Sequence, residues 1–237
     1  MDAPRTDRIR TRPEERAFQV NPYARWVHDH PGRLLADPTP AELARLRGLA
    51  GRVPQRVLVD LGCGAGNFLM GLAAQHPRDD CIGFELRYKR LVKSARKLER
   101  EHLTNVWLVR AEAEHFGAYF PAASIDRVFV NFPDPWPKRS HWKKRLMNQV
   151  FLRELERVLK PGGALCLKTD HAGYFLHSLG VVHARAGWRT ADWTNDLHQR
   201  TRPMAGCAEA GVETEFEQLF RSKRKAVFAA VFLRPAA

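Results

Sequence analysis

Acidic residues are scarce in this 237-residue chain. Twenty-six Asp and Glu stand against 39 Lys and Arg, which leaves a formal charge of +13 and a pI near 10.1. That deficit argues against an acidic small molecule as partner and for a polyanion, with nucleic acid first and an anionic membrane surface second. Long apolar runs are also missing. The longest, Ala226 to Leu233, is too short to cross a bilayer as a helix, and the N-terminus lacks the apolar core of a signal peptide, so a soluble, cytoplasmic protein is expected. Cysteine is sparse. Cys63, Cys81, Cys166 and Cys207 lie far apart with no C-x-x-C, and all four are expected to be reduced and structural. The ten histidines, His28 and His30 among them, form no metal-ligand set, so no metal is expected. A G-K-[ST] loop is absent, which excludes a nucleoside triphosphate site of that type.

A hydrophobic content of 44 % can fill a sizeable core, most simply that of one large domain with an appendage. Residues 1–36 read as a basic, partly disordered arm. They carry seven arginines (Arg5, Arg8, Arg10, Arg12, Arg16, Arg25, Arg33) and little apolar periodicity, while Phe18, Tyr23 and Trp26 predict that the second half docks. Within 37–237, Thr39-Pro40-Ala41-Glu42 gives an N-cap, a proline at the first helical position and a capping-box glutamate. Leu43, Leu46 and Leu49 share one face, and Gly51 ends the helix.

From Arg56 the pattern alternates. Strands are predicted at 57–59, 81–84, 106–109, 125–130 and 164–168, separated by helices over about 67–75, 87–101 and a stripe from Leu146 to Leu159. A helix from about Gly173, a strand near 188–193, a polar loop to Val212 and a strand over 226–233 follow. Alternating β and α units imply a mostly parallel, doubly wound seven-stranded sheet with helices on both faces.

The turn after the first of these strands, Asp60-Leu61-Gly62-Cys63-Gly64-Ala65-Gly66-Asn67, holds three glycines where a ligand must approach the backbone at the carboxyl edge of the sheet. Its spacing is G-x-G-x-G rather than the dinucleotide G-x-G-x-x-G, and an acid ends the strand. A carboxylate there repels pyrophosphate and suits the sulfonium and amino group of S-adenosylmethionine. Glu85, at the end of the next strand, is placed to accept from both ribose hydroxyls, and Glu112 from the adenine amine. With Lys160-Pro161-Gly162-Gly163 before the fifth strand, these residues predict a Rossmann-like class I S-adenosylmethionine-dependent methyltransferase fold.

The exit of the fourth strand reads Asn131-Phe132-Pro133-Asp134-Pro135-Trp136-Pro137-Lys138-Arg139, followed by His141, Lys143, Lys144 and Arg145. Prolines restrict the residue before each, so Phe132, Asp134 and Trp136 are expected to be extended. In an open α/β sheet this exit lies beside the ligand. The string from Phe132 through its basic run, together with the glycine turn, Lys168-Thr169-Asp170 and Thr214-Glu215-Phe216-Glu217, resembles the signature of the bacterial tRNA (guanine-N7)-methyltransferase family over about residues 56–233. The resemblance implies methyl transfer to N7 of a tRNA guanosine at position 46 in the variable loop. Asp60, Gly62, Gly64, Gly66, Glu85, Glu112 and Asp134 would hold the methyl donor, and Asp134 would act at the reacting centre. Lys138, Asp170, Thr214 and Glu217 would bind the target nucleotide, and Ser140 to Arg145, with Arg139, would contact tRNA. The implied partner is tRNA, with no membrane and no metal, and the protein a monomer or homodimer.

Three rival readings stand beside this one: a methyltransferase of the same fold acting on another RNA position or a small molecule, a non-catalytic tRNA-binding protein, and an NAD-dependent oxidoreductase. Asp170 and Thr214 also read as plain caps. The cationic face of the helix over 87–101 reads equally as an RNA ridge or a solvated surface.

Overall fold

A computed structural model describes residues 21–30, 32–48 and 53–235. The arginines at 5–16, Phe18, Leu49 and Gly51, named above, lie outside the described residues. Its elements are α1 (Pro22–Asp29), β1 (Leu34–Ala36), α2 (Pro40–Gly48), β2 (Val57–Leu61), α3 (Asn67–Gln75), β3 (Asp80–Phe84), α4 (Tyr88–Arg100), β4 (Val106–Arg110), β5 (Ile125–Asn131), α5 (Gln149–Val158), β6 (Leu159–Thr169), α6 (Ala172–His183), β7 (Arg189–Thr194), α7 (Glu215–Ser222) and β8 (Phe228–Leu233). Short 3₁₀ segments occupy Ala113–Tyr119 and Arg139–Lys144.

The strands form one sheet in the order β1-β4-β3-β2-β5-β6-β8-β7, with only β8 antiparallel to its neighbours. The sheet therefore has eight strands rather than the seven expected. The added strand is β1, whose three residues were read as part of the arm and instead pair in parallel with Leu108 to Arg110 of β4. Three residues give too short a pattern to show a strand period, so only the tertiary partner reveals it. Ahead of β1, α1 is capped by Asn21, whose side chain accepts from the Tyr23 amide (3.0 Å), and the Arg96 guanidinium of α4 lies 5.5 Å over the Trp26 ring.

Successive side chains of a strand face opposite sides of the sheet, and both sides here are apolar. Val57, Val59 and Leu61 enter one core with α5, α6 and the 113–119 turn, whereas Leu58 enters the other with α3 and α4. Such two-sided burial explains why β2 shows a continuous apolar run rather than an alternation.

At α2, Thr39 and Glu42 form the predicted capping box, and Leu43 is buried. The stripe read across 146–159 shortens: Leu159 already begins β6, and Val150 is exposed. The expectation of four reduced thiols is corrected at one pair. The loop between β7 and α7 folds back on β6 and joins Cys207 to Cys166 in a disulfide, while Cys63 and Cys81 are free and buried. A separation of 41 residues left no local sign of that pairing. Among the described residues no helix is long and apolar enough to span a membrane, and no three His, Cys, Asp or Glu side chains are grouped to hold a metal.

Candidate active site

The order of strands reverses between β2 and β5, and the carboxyl ends of those two strands open into a cleft, as expected for a doubly wound sheet. The cleft has two chambers. A small one of about 40 Å³ is lined by Asp60, the loop from Gly62 to Asn67, Asn131 and Thr214. A large one of about 620 Å³ is lined by Glu85, Arg87, Glu112, Asp134, Trp136 and Lys144. Gly62, Arg90, Asn131, Phe132 and Phe216 border both chambers.

The small chamber is built on backbone that only glycine adopts without strain. Gly66 precedes α3 with φ at +81°, and a Cβ there would stand 2.2 Å from the Ser94 hydroxyl. The loop is clamped by Glu85, which accepts the Gly64 amide (3.1 Å) through one carboxylate oxygen and the Arg87 amide (2.7 Å) through the other. Lone pairs remain on both oxygens, enough for a vicinal diol.

Asp60 is buried at the end of β2 and accepts the Asn131 amide (3.1 Å). Desolvation pushes its carboxyl up to about 7; Asn131 and the Lys168 ammonium oppose the rise, and Glu85 adds to it. The Asn131 side-chain oxygen is buried without a hydrogen-bond partner among the described residues. A buried acid that ionises reluctantly beside an orphaned acceptor suits a cationic ligand. The donor set therefore fits S-adenosylmethionine, whose cationic end and ribose diol Asp60, Asn131 and Glu85 would hold. Glu112 is exposed at the rim, 3.5 Å from His115.

The raised pKa fixes a sign. Asp60 folded holds its proton more tightly than unfolded, so its contribution to stability is full below about pH 4 and lost as pH rises through about 7. A cationic ligand reverses that preference and drives the proton off. We expect donor binding near pH 6.5 to release a fraction of a proton, read from the buffer dependence of the calorimetric enthalpy. Asp60→Asn should remove that release; a release unchanged by the substitution would assign it elsewhere.

At the exit of β5 the backbone departs from expectation. Phe132 and Trp136 are not extended but have φ of +53° and +42°. Proline disfavours the right-handed helical region for its predecessor, and tertiary contacts push these two across zero. The Phe132 amide donates to the Lys168 carbonyl (2.8 Å), while its ring packs on Phe216 (5.7 Å) and Phe220 (5.3 Å). Non-glycine residues in this region are strained, and such strain collects at working sites.

Arg145 was expected to contact tRNA, but it is 2 % exposed. Its guanidinium donates to the carbonyls of Pro135 (2.9 Å) and Trp136 (3.4 Å) and stacks between Trp142 and Tyr174. It thus pins the proline loop from beneath. Lys138, Arg139, Lys143 and Lys144 are exposed and His141 is half-buried, with Lys144 lying 4.7 Å over the Trp136 ring at the cleft mouth.

Thr214 and Glu217 likewise turn inward. They form the capping box of α7, which sequence reading had left as a segment before the last strand. Glu217 also receives the buried Lys168 ammonium at 2.9 and 3.1 Å. Desolvation lowers the Lys168 pKa, and Glu217 opposes that. Asp170 is exposed just beyond β6 and caps nothing; His171 caps α6. Sequence reading named Asn131 and Lys168 only as parts of motifs and Arg90 only on the cationic face of the helix over 87–101, and gave none of them a place at the cleft. The available signals were a polar residue ending an apolar strand and a lysine inside another.

A model of a family described as putative methyltransferases matches residues 54–230. A tRNA (guanine-N(7)-)-methyltransferase of Limosilactobacillus fermentum is 37 % identical over 175 residues, 74 % of this chain and 79 % of that protein. One from Geobacillus kaustophilus is 35 % identical over 214 residues, 89 % and 94 % respectively. Among solved structures, the 16S rRNA methyltransferase KamB matches with a TM-score of 0.58 at 20 % identity, covering 81 % of this chain and 93 % of that one, a likeness of fold alone.

Proposed function

This chain belongs to the methyltransferase family that includes the tRNA (guanine-N7)-methyltransferases, and from that premise we propose how its residues divide the reaction and that its target is guanosine 46 of the variable loop. It is an S-adenosylmethionine-dependent enzyme that methylates N7 of guanine in tRNA. The observation that carries the division of roles is the two-chambered cleft, with a buried acid and an orphaned acceptor in one part and an exposed carboxylate beside aromatic rings in the other.

S-adenosylmethionine supplies a methyl group made electrophilic by its sulfonium. Asp60 and Asn131 hold the cationic end, Glu85 takes the ribose hydroxyls and Glu112 the adenine amine. Guanine N7 carries an unprotonated in-plane lone pair at neutral pH, so no residue needs to remove a proton from it first. Catalysis is then positioning and electrostatics. Asp134 accepts from the guanine Watson-Crick edge and stabilises the cationic purine left by transfer.

N7 in a folded tRNA is shielded by stacking, so the base turns out into the large chamber. Phe216 and Trp136 offer ring faces there. Lys138 to Lys144 follow the RNA backbone away from the mouth. Arg145 supports this arrangement from inside the loop. The reading is tested by incubating bulk tRNA with labelled donor and digesting to nucleosides. Label should appear as 7-methylguanosine, and a different methylated nucleoside would contradict it.

A further inference from the structure

The end of α7 carries a second cationic group, separate from the run after the proline loop. Arg221, Lys223, Arg224 and Lys225 are all exposed. Arg221 pairs with Glu213, but Lys223, Arg224 and Lys225 have no acidic partner among the described residues. The group reaches the active site through a cluster of rings. The Lys225 ammonium lies 5.5 Å over Phe220, which lies 5.3 Å from Phe132 and 6.1 Å from Phe216, and the last two border both chambers.

Cations at a helix C-terminus need little explanation, since the helix dipole favours them. That account covers Lys223 and Lys225 but not the residue between them. Arg224 has φ at +52°, and the turn it makes lets the Lys225 amide donate to the Phe220 carbonyl (2.9 Å), closing the end of the helix. Glycine is the residue that fills this left-handed position without strain. An arginine there adds strain, and its side chain meets no acidic group among the described residues.

We propose that Lys223, Arg224 and Lys225 form a second surface for the tRNA backbone, which grips phosphates a few nucleotides from the flipped base. An eight-residue helix spans about 12 Å. The helix thus carries the Phe216 ring at the cleft and leads directly into the phosphate contacts at its C-terminal turn, so base stacking and backbone capture are coupled through α7.

The proposal rests on tRNA being the substrate, and the test separates the two. Equilibrium binding of unmodified tRNA is measured by fluorescence anisotropy across a salt series for the wild type, Lys223→Gln/Lys225→Gln and Arg224→Gly. Donor affinity and Tm are measured on the same samples. The double variant should bind roughly five- to tenfold more weakly near 0.15 M salt, and the slope of log affinity against log salt should fall by about 1.5. Arg224→Gly should weaken tRNA binding while leaving Tm unchanged or raising it by about 2 °C, a combination no purely structural role produces. Affinity and salt slope unchanged in both variants would overturn the surface while tRNA methylation stands. A wild type that binds no tRNA would overturn both.

Discussion

Asp134→Ala should bind the methyl donor nearly as the wild type does and transfer almost nothing. Asp134 lines the large chamber, on the exit of β5, whereas the small chamber is bounded by Asp60, the glycine loop and Asn131. Truncation therefore leaves the cationic end of the donor site intact. It removes the carboxylate proposed to face the guanine edge and the charge that develops on the purine. Loss of one preorganised electrostatic group at a reacting centre typically costs about 10²–10³ in kcat, and loss of base orientation adds to that. We expect a fall in kcat of about 10³ or more with the donor Kd within about threefold. Asp134→Asn separates the two contributions, because it keeps an acceptor oxygen and discards the charge. Turnover unchanged in Asp134→Ala would remove it from the mechanism.

The second large effect is on stability. Lys168 and Glu217 form an ion pair in which both side chains are 2 % exposed, between β6 and the first turn of α7. Lys168 also donates to the Val212 carbonyl (2.8 Å), and Glu217 accepts the Thr214 amide (2.7 Å). Lys168→Met leaves Glu217 buried without its cation, which should lower unfolding stability by about 3–5 kcal/mol. The double variant Lys168→Met/Glu217→Gln removes the stranded charge and should regain a good part of that loss. Urea unfolding checks both. A second readout follows from Asp60, whose ionisation Lys168 assists. In Lys168→Met its pKa rises further, so donor binding near neutral pH should release more protons than in the wild type. A stability change under 0.5 kcal/mol by the same criterion would mean that the pair contributes nothing net.

Lys168 also marks the limit of what this sequence discloses. A lysine inside an apolar strand is visible, but its partner lies 49 residues on in a helix whose capping box was read only as a motif. The parts with local causes were legible. The bounds of α3 at Asn67 and Gln75 follow from the glycine loop before it and from apolar spacing. Phe132 and Trp136 went the other way. Proline chemistry predicts extension, and only the Lys168 carbonyl, the Phe216 and Phe220 rings and the Arg145 guanidinium, none of them local, explain the positive φ. Arg145 itself looked like one more cation in a basic run. Its burial depends on two carbonyls of a loop that folds back over it, which no pattern of charges displays.

That buried arginine also sharpens the site. The basic run after Trp136 divides into exposed cations that face outward and one residue that fixes the carboxylate-bearing loop over the cleft. One atom of one nucleotide is the proposed methyl acceptor there. The direct measurement incubates the protein with labelled donor and a single unmodified tRNA transcript, then maps 7-methylguanosine by chemical strand cleavage, alongside a transcript made with 7-deazaguanosine. A single cleavage at guanosine 46 in the first, with no label in the second, is the predicted result. Cleavage at another guanosine would contradict the assigned position, and label entering the 7-deaza transcript would contradict transfer to N7 itself.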